Sequence, residues 1–269
     1  MPLIHLGLSH RSVRSAELAA LSDRAGDLAA NLVEALPVVR GAVLLATCNR
    51  FELYLDATEF HSAVDGARHL VQELAGPDLS HVDPALGVSV GDGAVEHLFK
   101  VACGLDSMVI GEHEIAGQVR QALADSHGTT SPVLRRLFQA ALTTSKAVAS
   151  STNLGADGRS LASVGLDVVA ARLGALEGRR VLIQGTGAYA GVVVAELLRR
   201  DVADIRVHSG SGRAATFAEN HPPVTPTHSS DLPAALRWAD VVVCCSGTGT
   251  RQLTVDLISE ARRGRPEPV

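Results

Sequence analysis

Val181-Leu182-Ile183-Gln184-Gly185-Thr186-Gly187-Ala188-Tyr189-Ala190-Gly191 decides the fold of the last third of the chain. A short apolar run, a glycine-rich turn and a stretch of small and apolar residues read as strand, tight turn and helix. Gly185 allows the turn, Gly187 lets a diphosphate approach the backbone, and Gly191 lets helix and strand pack closely. The N–H groups at the start of the helix then face the bound anion. That is the context of a dinucleotide site; the competing reading is a glycine turn that binds no nucleotide.

Outward from this turn, strand and helix alternate. Strands are predicted at residues 180–184, 204–208 and 240–245, with helices at 188–200, 213–220 and 254–262, an order that predicts a doubly wound parallel sheet. The second strand ends in Val207-His208-Ser209-Gly210-Ser211-Gly212-Arg213. A site for NAD carries Asp or Glu near this point to bind the ribose 2′-hydroxyl. Here hydroxyls and an arginine stand instead, which suits a 2′-phosphate and therefore NADPH, with Ser209, Ser211 and Arg213 as its ligands. An ordinary serine-rich turn with a solvated Arg213 is the alternative. Gly247-Thr248-Gly249-Thr250, after the strand ending at Cys245, lies where a loop of such a sheet would face the nicotinamide.

The 269 residues suffice for one large core or two modest ones. The core must be aliphatic, since the chain has 5 Phe, 2 Tyr and 1 Trp; this makes an aromatic platform for single-stranded nucleic acid improbable. A net charge of -5 argues against a surface built wholly for polyanions. The four cysteines form no C-x-x-C pair, so no metal ligand set is read, and a reduced, cytoplasmic chain fits best. Neither a signal peptide nor a membrane span is indicated.

The first half mixes the two element types irregularly. Strands are expected at 3–8, 42–47 and 51–55. Helices are expected at 13–36, broken near 22–26, and at 59–74, followed by a loop through Pro77, Pro84, Gly87, Gly91 and Gly93. In residues 94–103, Val95, Leu98, Phe99 and Ala102 form an apolar stripe with His97 roughly opposite it. Ser131-Pro132 reads as an N-cap and first-turn proline of a helix ending near Gly155. The domain boundary is expected just beyond it, dividing residues 1–157 from 158–269.

Cys48 lies in a bend between two strands, where a thiol is accessible, and Arg50 two positions on is expected to lower its pKa. The alternative is a small buried hydrophobe. His97, off the stripe, faces either a cleft or water. Arg50 either forks onto a carboxylate, tunes Cys48, or does both.

Thr47-Cys48-Asn49-Arg50-Phe51-Glu52-Leu53-Tyr54 and the run from His97-Leu98-Phe99-Lys100 through Gly104-Leu105-Asp106-Ser107-Met108-Val109-Ile110-Gly111-Glu112 resemble signatures of glutamyl-tRNA reductase. Ile115-Ala116-Gly117-Gln118-Val119-Arg120 and Leu137-Phe138-Gln139-Ala140-Ala141 add to the resemblance, which spans essentially the whole chain. It implies an oxidoreductase with an N-terminal α+β catalytic domain that binds glutamyl-tRNA, followed by a Rossmann-like NADPH-binding domain. The implied reaction reduces the glutamyl ester to glutamate-1-semialdehyde through a thioester on Cys48, the first step of tetrapyrrole (porphyrin) biosynthesis. Thr47, Arg50 and Ser107 would surround the glutamyl moiety and His97 the reacting carbonyl. Glu112 and Gln118 either line the pocket or lie on a solvated face.

Two local departures are visible: His113-Glu114 where the family often has proline and glutamine, and Tyr189-Ala190 where it often has Glu-Met. A family member would continue past Val269 with another strand, a connecting helix and a helical dimerisation domain. The resemblance thus implies a C-terminally truncated chain with an incomplete nucleotide domain. It implies a homodimer for the full-length family, and glutamate-1-semialdehyde aminomutase as a partner enzyme. The alternatives are a noncatalytic NADPH- or tRNA-binding protein that keeps the fold and, more remotely, a small-molecule NADP dehydrogenase.

Overall fold

In the computed structural model, which describes residues 2–112, 114–152, 154, 160–245 and 253–264, the chain divides into two units, Met1–Ser160 and Leu161–Val269. The first is built on an antiparallel sheet of β1 (Leu3–Ser9), β2 (Val39–Ala46), β3 (Arg50–Ala57) and β4 (Gly87–Val90), in the order β2-β3-β1-β4. Phe51, Leu53, Leu55 and Ala57 of β3 point to one face. There they meet Leu18 and Leu21 of α1 (Ser15–Arg24), Leu28 and Leu32 of α2 (Leu28–Ala35), and Ala63, Ala67 and Val71 of α3 (Phe60–Ala75). Strand alternation sends Arg50, Glu52, Tyr54 and Asp56 to the other face.

An antiparallel sheet commonly leaves such a polar face in water. Here α4 (Asp92–Ala102), α5 (Glu114–Asp125) and α6 (Pro132–Ser151) cover it, packing Leu98, Val101, Ile115, Val119, Leu134 and Phe138 against Val43, Leu45 and Tyr54. Every residue of β3 is therefore buried. Charged groups so enclosed must pair with one another, and that requirement creates the site described below.

Two readings of this unit are corrected. The expected loop after α3 holds 3-10 turns over Pro77–Ala85 and then β4, which pairs with β1 from Ile4↔Val90 to Gly7↔Gly87. Four residues at a sheet edge, three of them exposed, give almost no hydrophobic signal. The stripe of α4 is rotated from the expected one: Ala94, Leu98, Val101 and Ala102 are buried. His97, between Ala94 and Val101 along the helix, accordingly borders the buried side and is not opposite it.

The second unit is the expected parallel sheet, β5 (Arg180–Gln184), β6 (Asp204–His208), β7 (Val224–Thr227) and β8 (Val241–Cys244), in the order β7-β6-β5-β8. On one face Val181 and Ile183 pack with Leu166 of α7 (Leu161–Leu173), Val193, Val194 and Leu197 of α8 (Ala188–Leu198), and Ala214 of α9 (Ala214–Glu219). On the other, Leu182 meets Leu236 of α10 (Leu232–Trp238) and Ala261 of α11 (Val255–Ala261). Helices on both faces make it doubly wound. The sequence reading missed β7, which carries Pro226 and is tolerated as an edge strand, and also the helices α7 and α10.

The cap expected at Ser131 is present: its side chain accepts a hydrogen bond from Leu134 N at 3.2 Å, in a buried position. Ser131→Ala is expected to cost ~1 kcal/mol, read as a lower denaturant midpoint with unchanged slope. An unchanged midpoint would mean that the cap contributes nothing to α6.

Candidate functional site

The β2–β3 hairpin ends in Thr47-Cys48-Asn49, and its turn is fixed on every side. Thr47 N donates to Arg50 O at 2.8 Å, Asn49 N to Thr47 Oγ1 at 3.2 Å, and His10 N to Asn49 O at 2.9 Å. Cys48 is exposed at this tip, as expected for a thiol in a bend. Its pKa, however, is raised and not lowered. Contact with protein desolvates the sulfur, and the carboxyls of Glu112 and Glu114 add negative charge beside it.

Arg50 does not offset this, because its guanidinium is committed elsewhere. The residue is 1% exposed. Nη1 donates to Glu52 Oε1 at 2.7 Å and to Asp106 Oδ2 at 3.3 Å, and Nη2 to Asp106 O at 2.9 Å. These bonds tie β3 to the segment after α4, which Gly104 closes on itself. At φ +72 Gly104 takes a bond from Gly111 N at 3.0 Å, and an added Cβ would stand 3.0 Å from Glu112 O. Ser107, in that segment, is buried.

Glu52 is the hub. Besides Arg50 it accepts from Tyr54 Oη at 2.7 Å and from His97 Nε2 at 3.0 Å. Burial alone would raise its pKa, but the His97 hydrogen bond and the Arg50 charge hold it down to about 2. As a carboxylate it only accepts, so Nε2 of His97 carries the proton. The His97 ring lies 4.0 Å, centroid to centroid, from that of His5, whose own nitrogens have no hydrogen-bond partner. Burial lowers the pKa of His5 to about 4.

The other named residues separate. Glu112 is buried, not on a solvated face, and its pKa is raised by that burial. Burial, the charge of Glu112 and a hydrogen bond to it raise Glu114 to about 7. Glu112 lines a small cavity with Cys103, whereas Gln118 borders a different one, about 370 Å³, between the α1–α2 junction, β2 and α5. Thr47 spends its hydroxyl on the hairpin turn.

In the second unit Gly185 has φ +113, a conformation reserved for glycine. A Cβ on Gly187 would meet nothing nearer than 3.9 Å, so its backbone is open to a bulky anion. Gly191 serves differently from expectation: a Cβ there would stand 3.0 Å from His221 Nε2, so the close approach is to that side chain. The fully buried Ala190 is the neighbour packed in the sheet core. Ser209 Oγ and Ser211 Oγ are 3.0 Å apart, and Arg213 Nε donates to Ser211 Oγ at 2.9 Å. Beside them is a cavity of about 330 Å³ lined by Ser209, Gly212, Ala214, Ala215, Pro226, Thr227 and His228. These features fit a phosphorylated dinucleotide. Residues 247–250 lie outside the described residues.

Sequence reasoning did not single out His5, Glu52, Tyr54 or Asp106. The signal for the first three was the alternation of β1 and β3, read across the register His5↔Tyr54 and Gly7↔Glu52. Their burial carries a pH dependence. Between pH 6.5 and about 4 the unfolded chain protonates His5 while the folded chain does not, so stability falls by up to about 3 kcal/mol as pH drops through this window. Glu52, lowered from 4.5 to about 2, adds a loss below pH 4.5. Glu114, raised to about 7, acts in the opposite direction between pH 7 and 4.5, so the contribution of His5 is read as a difference: from pH 6.5 to 4.5 the denaturation midpoint of His5→Phe is expected to rise relative to that of the unsubstituted chain. Parallel profiles in the two proteins would remove His5 as a source of the loss.

The N-terminal domain of Glutamyl-tRNAGlu reductase matches residues 6–152 as a family model. Among curated relatives, glutamyl-tRNA reductase of Clavibacter michiganensis subsp. michiganensis is 41% identical over 281 residues, covering 95% of this chain and 64% of that protein. That of Kocuria rhizophila is 44% identical over 256 residues, covering 92% and 58%. The solved glutamyl-tRNA reductase from Methanopyrus kandleri shares 29% identity at a TM-score of 0.51, covering 99% of this chain and 64% of that one. The chain thus spans less than two thirds of the length of each of these relatives. With the family model matching more than half of its residues, the chain belongs to the glutamyl-tRNA reductase family.

Proposed function

We propose that this chain is the catalytic and NADPH-binding portion of a cytoplasmic enzyme that reduces glutamyl-tRNA to glutamate-1-semialdehyde, the first step of tetrapyrrole synthesis. Cys48 carries the reading: a free, exposed thiol on a rigid hairpin tip, within the family's motif. Residues 1–157 would receive the charged tRNA and residues 158–269 the NADPH. The full-length protein would dimerise and hand its aldehyde to glutamate-1-semialdehyde aminomutase.

The thiolate of Cys48 attacks the ester carbonyl. The C–S bond forms, the C–O bond to the terminal ribose breaks, and the ribose oxygen takes a proton, leaving a glutamyl thioester. His97, oriented by Glu52, holds or delivers a proton at the reacting carbonyl. Thr47, Ser107 and Glu112 would line the approach of the glutamyl group, whereas Gln118, which borders a separate cavity, would lie outside it. Arg50 acts as a positioning residue through Glu52 and Asp106. Gly185, Gly187 and Gly191, with Ser209, Ser211 and Arg213, would hold NADPH, which supplies when bound the hydride that takes the acyl group to the aldehyde level.

With the full-length form, glutamyl-tRNA and NADPH are expected to yield the semialdehyde, and Cys48→Ser to reduce the rate by at least ~1,000-fold. With NADPH withheld, the ester should still be cleaved and a glutamylated Cys48 peptide appear in mass spectra. No semialdehyde, or full activity in the variant, would overturn the proposal and favour a noncatalytic binding protein.

The raised thiol gives a second test. Glu114→Gln removes a charge beside Cys48, lowering its pKa and raising its alkylation rate at pH 7.5 by roughly 2–5-fold. Because Glu114 titrates at about 7, the difference should vanish below pH 6. Equal rates at both pH values would mean that this carboxyl does not act on the sulfur.

A further inference from the structure

We propose that His5, Glu52 and His97 form a binding site for a divalent transition-metal ion of the zinc class. Their ligand atoms all lie within 4.8 Å of one another. His97 Nε2 stands 3.0 Å from Glu52 Oε1, and His5 Nε2 3.9 Å from Glu52 Oε2. Ligands held at 2.0–2.2 Å by a tetrahedral ion stand roughly 3.4 Å apart, so the two measured distances bracket the required one. The third pair, His5 and His97, lies within the same 4.8 Å limit, and side-chain rotation would have to close the remaining gap.

The independent observation is His5. It is 6% exposed, yet neither of its ring nitrogens has a hydrogen-bond partner. A buried imidazole left this way needs an explanation, and a metal bond at Nε2 provides one. The fold also makes room at that atom. Gly7, on the same face of β1, would with a Cβ come within 2.5 Å of His5 Nε2 and 3.0 Å of Glu52 Cγ.

Two imidazoles and one carboxylate favour zinc, cobalt or nickel over magnesium or calcium, which take oxygen ligands. Tyr54 Oη, donating to Glu52 Oε2 at 2.7 Å, orients the carboxylate from behind. Arg50 pairs with Glu52 and with Asp106, and Asp106 also pairs with Arg11, so the negative charge offered to the ion is that of the Glu52 carboxylate itself. On binding, the metal replaces the proton that His97 Nε2 now gives to Glu52, and that proton leaves to solvent. The partly exposed side of His97 leaves a position for water.

The test titrates the full chain at pH 7.5 with Co²⁺, read by its visible d–d bands, and then displaces it with Zn²⁺. One equivalent is expected to bind with no near-ultraviolet thiolate band, unchanged in Cys48→Ser. His5→Phe and Gly7→Ala should each weaken binding at least ~10-fold, the second while keeping all three ligands. Should His5→Phe fail to fold, His97→Gln makes the same measurement from the partly exposed ligand. Unchanged affinity in the ligand variants, a thiolate band, loss of binding in Cys48→Ser, or no binding at millimolar metal would each overturn the site.

Discussion

The carboxylate of Glu52 is the constraint on which the first unit depends. It is charged, 1% exposed, and accepts from Arg50, Tyr54 and His97. Removing one partner of such a pair leaves an uncompensated charge, at a cost of about 3–5 kcal/mol. The arrangement therefore rigidifies whatever it touches. Through Arg50 it holds β3 against the Asp106 segment, and through His97 it fixes the sheet-facing side of α4. The hairpin that carries Cys48 begins at the same arginine, since Thr47 N bonds to Arg50 O. A reactive residue on a loop gains precision when its support is locked in this way.

Legibility in the sequence followed hydrophobic period and turn chemistry. The β5 turn, the Ser131 cap and the strand at β3 could be read because each is local: glycine at φ +113, a hydroxyl preceding proline, a short run rich in apolar residues. The short edge strands β4 and β7 could not. The first has exposed residues and glycine at its start, the second a proline, and both exist only because a neighbouring strand offers hydrogen bonds. The candidate site divides along the same line. Cys48 and His97 were singled out, but their settings were misjudged because the partners of Arg50 lie at Glu52 and Asp106, one of them 56 positions away.

A sheet covered on one face would have left Arg50, Glu52 and Asp56 in water, where their pairing would contribute little. Sequence alternation is the same in both cases, so it cannot report whether helices lie over the polar face. The second unit illustrates the complementary situation. Its strands are enclosed on both faces by helices and bury Val181, Ile183, Ile205, Val207, Val224 and Val241, and the reading of a parallel sheet succeeded.

The electrostatics at Cys48 follow from these commitments. Because the nearby arginine is consumed by two carboxylates, the charges that act on the sulfur among the described residues are those of the acidic pair Glu112 and Glu114, and burial of that pair raises both carboxyls, Glu114 to about 7. A thiol in this setting is protected from casual oxidation, since the thiolate is the reactive form. Ionisation must then come with a change in its surroundings. Neutralising Glu112 and Glu114, whose charges raise the thiol, is one such change.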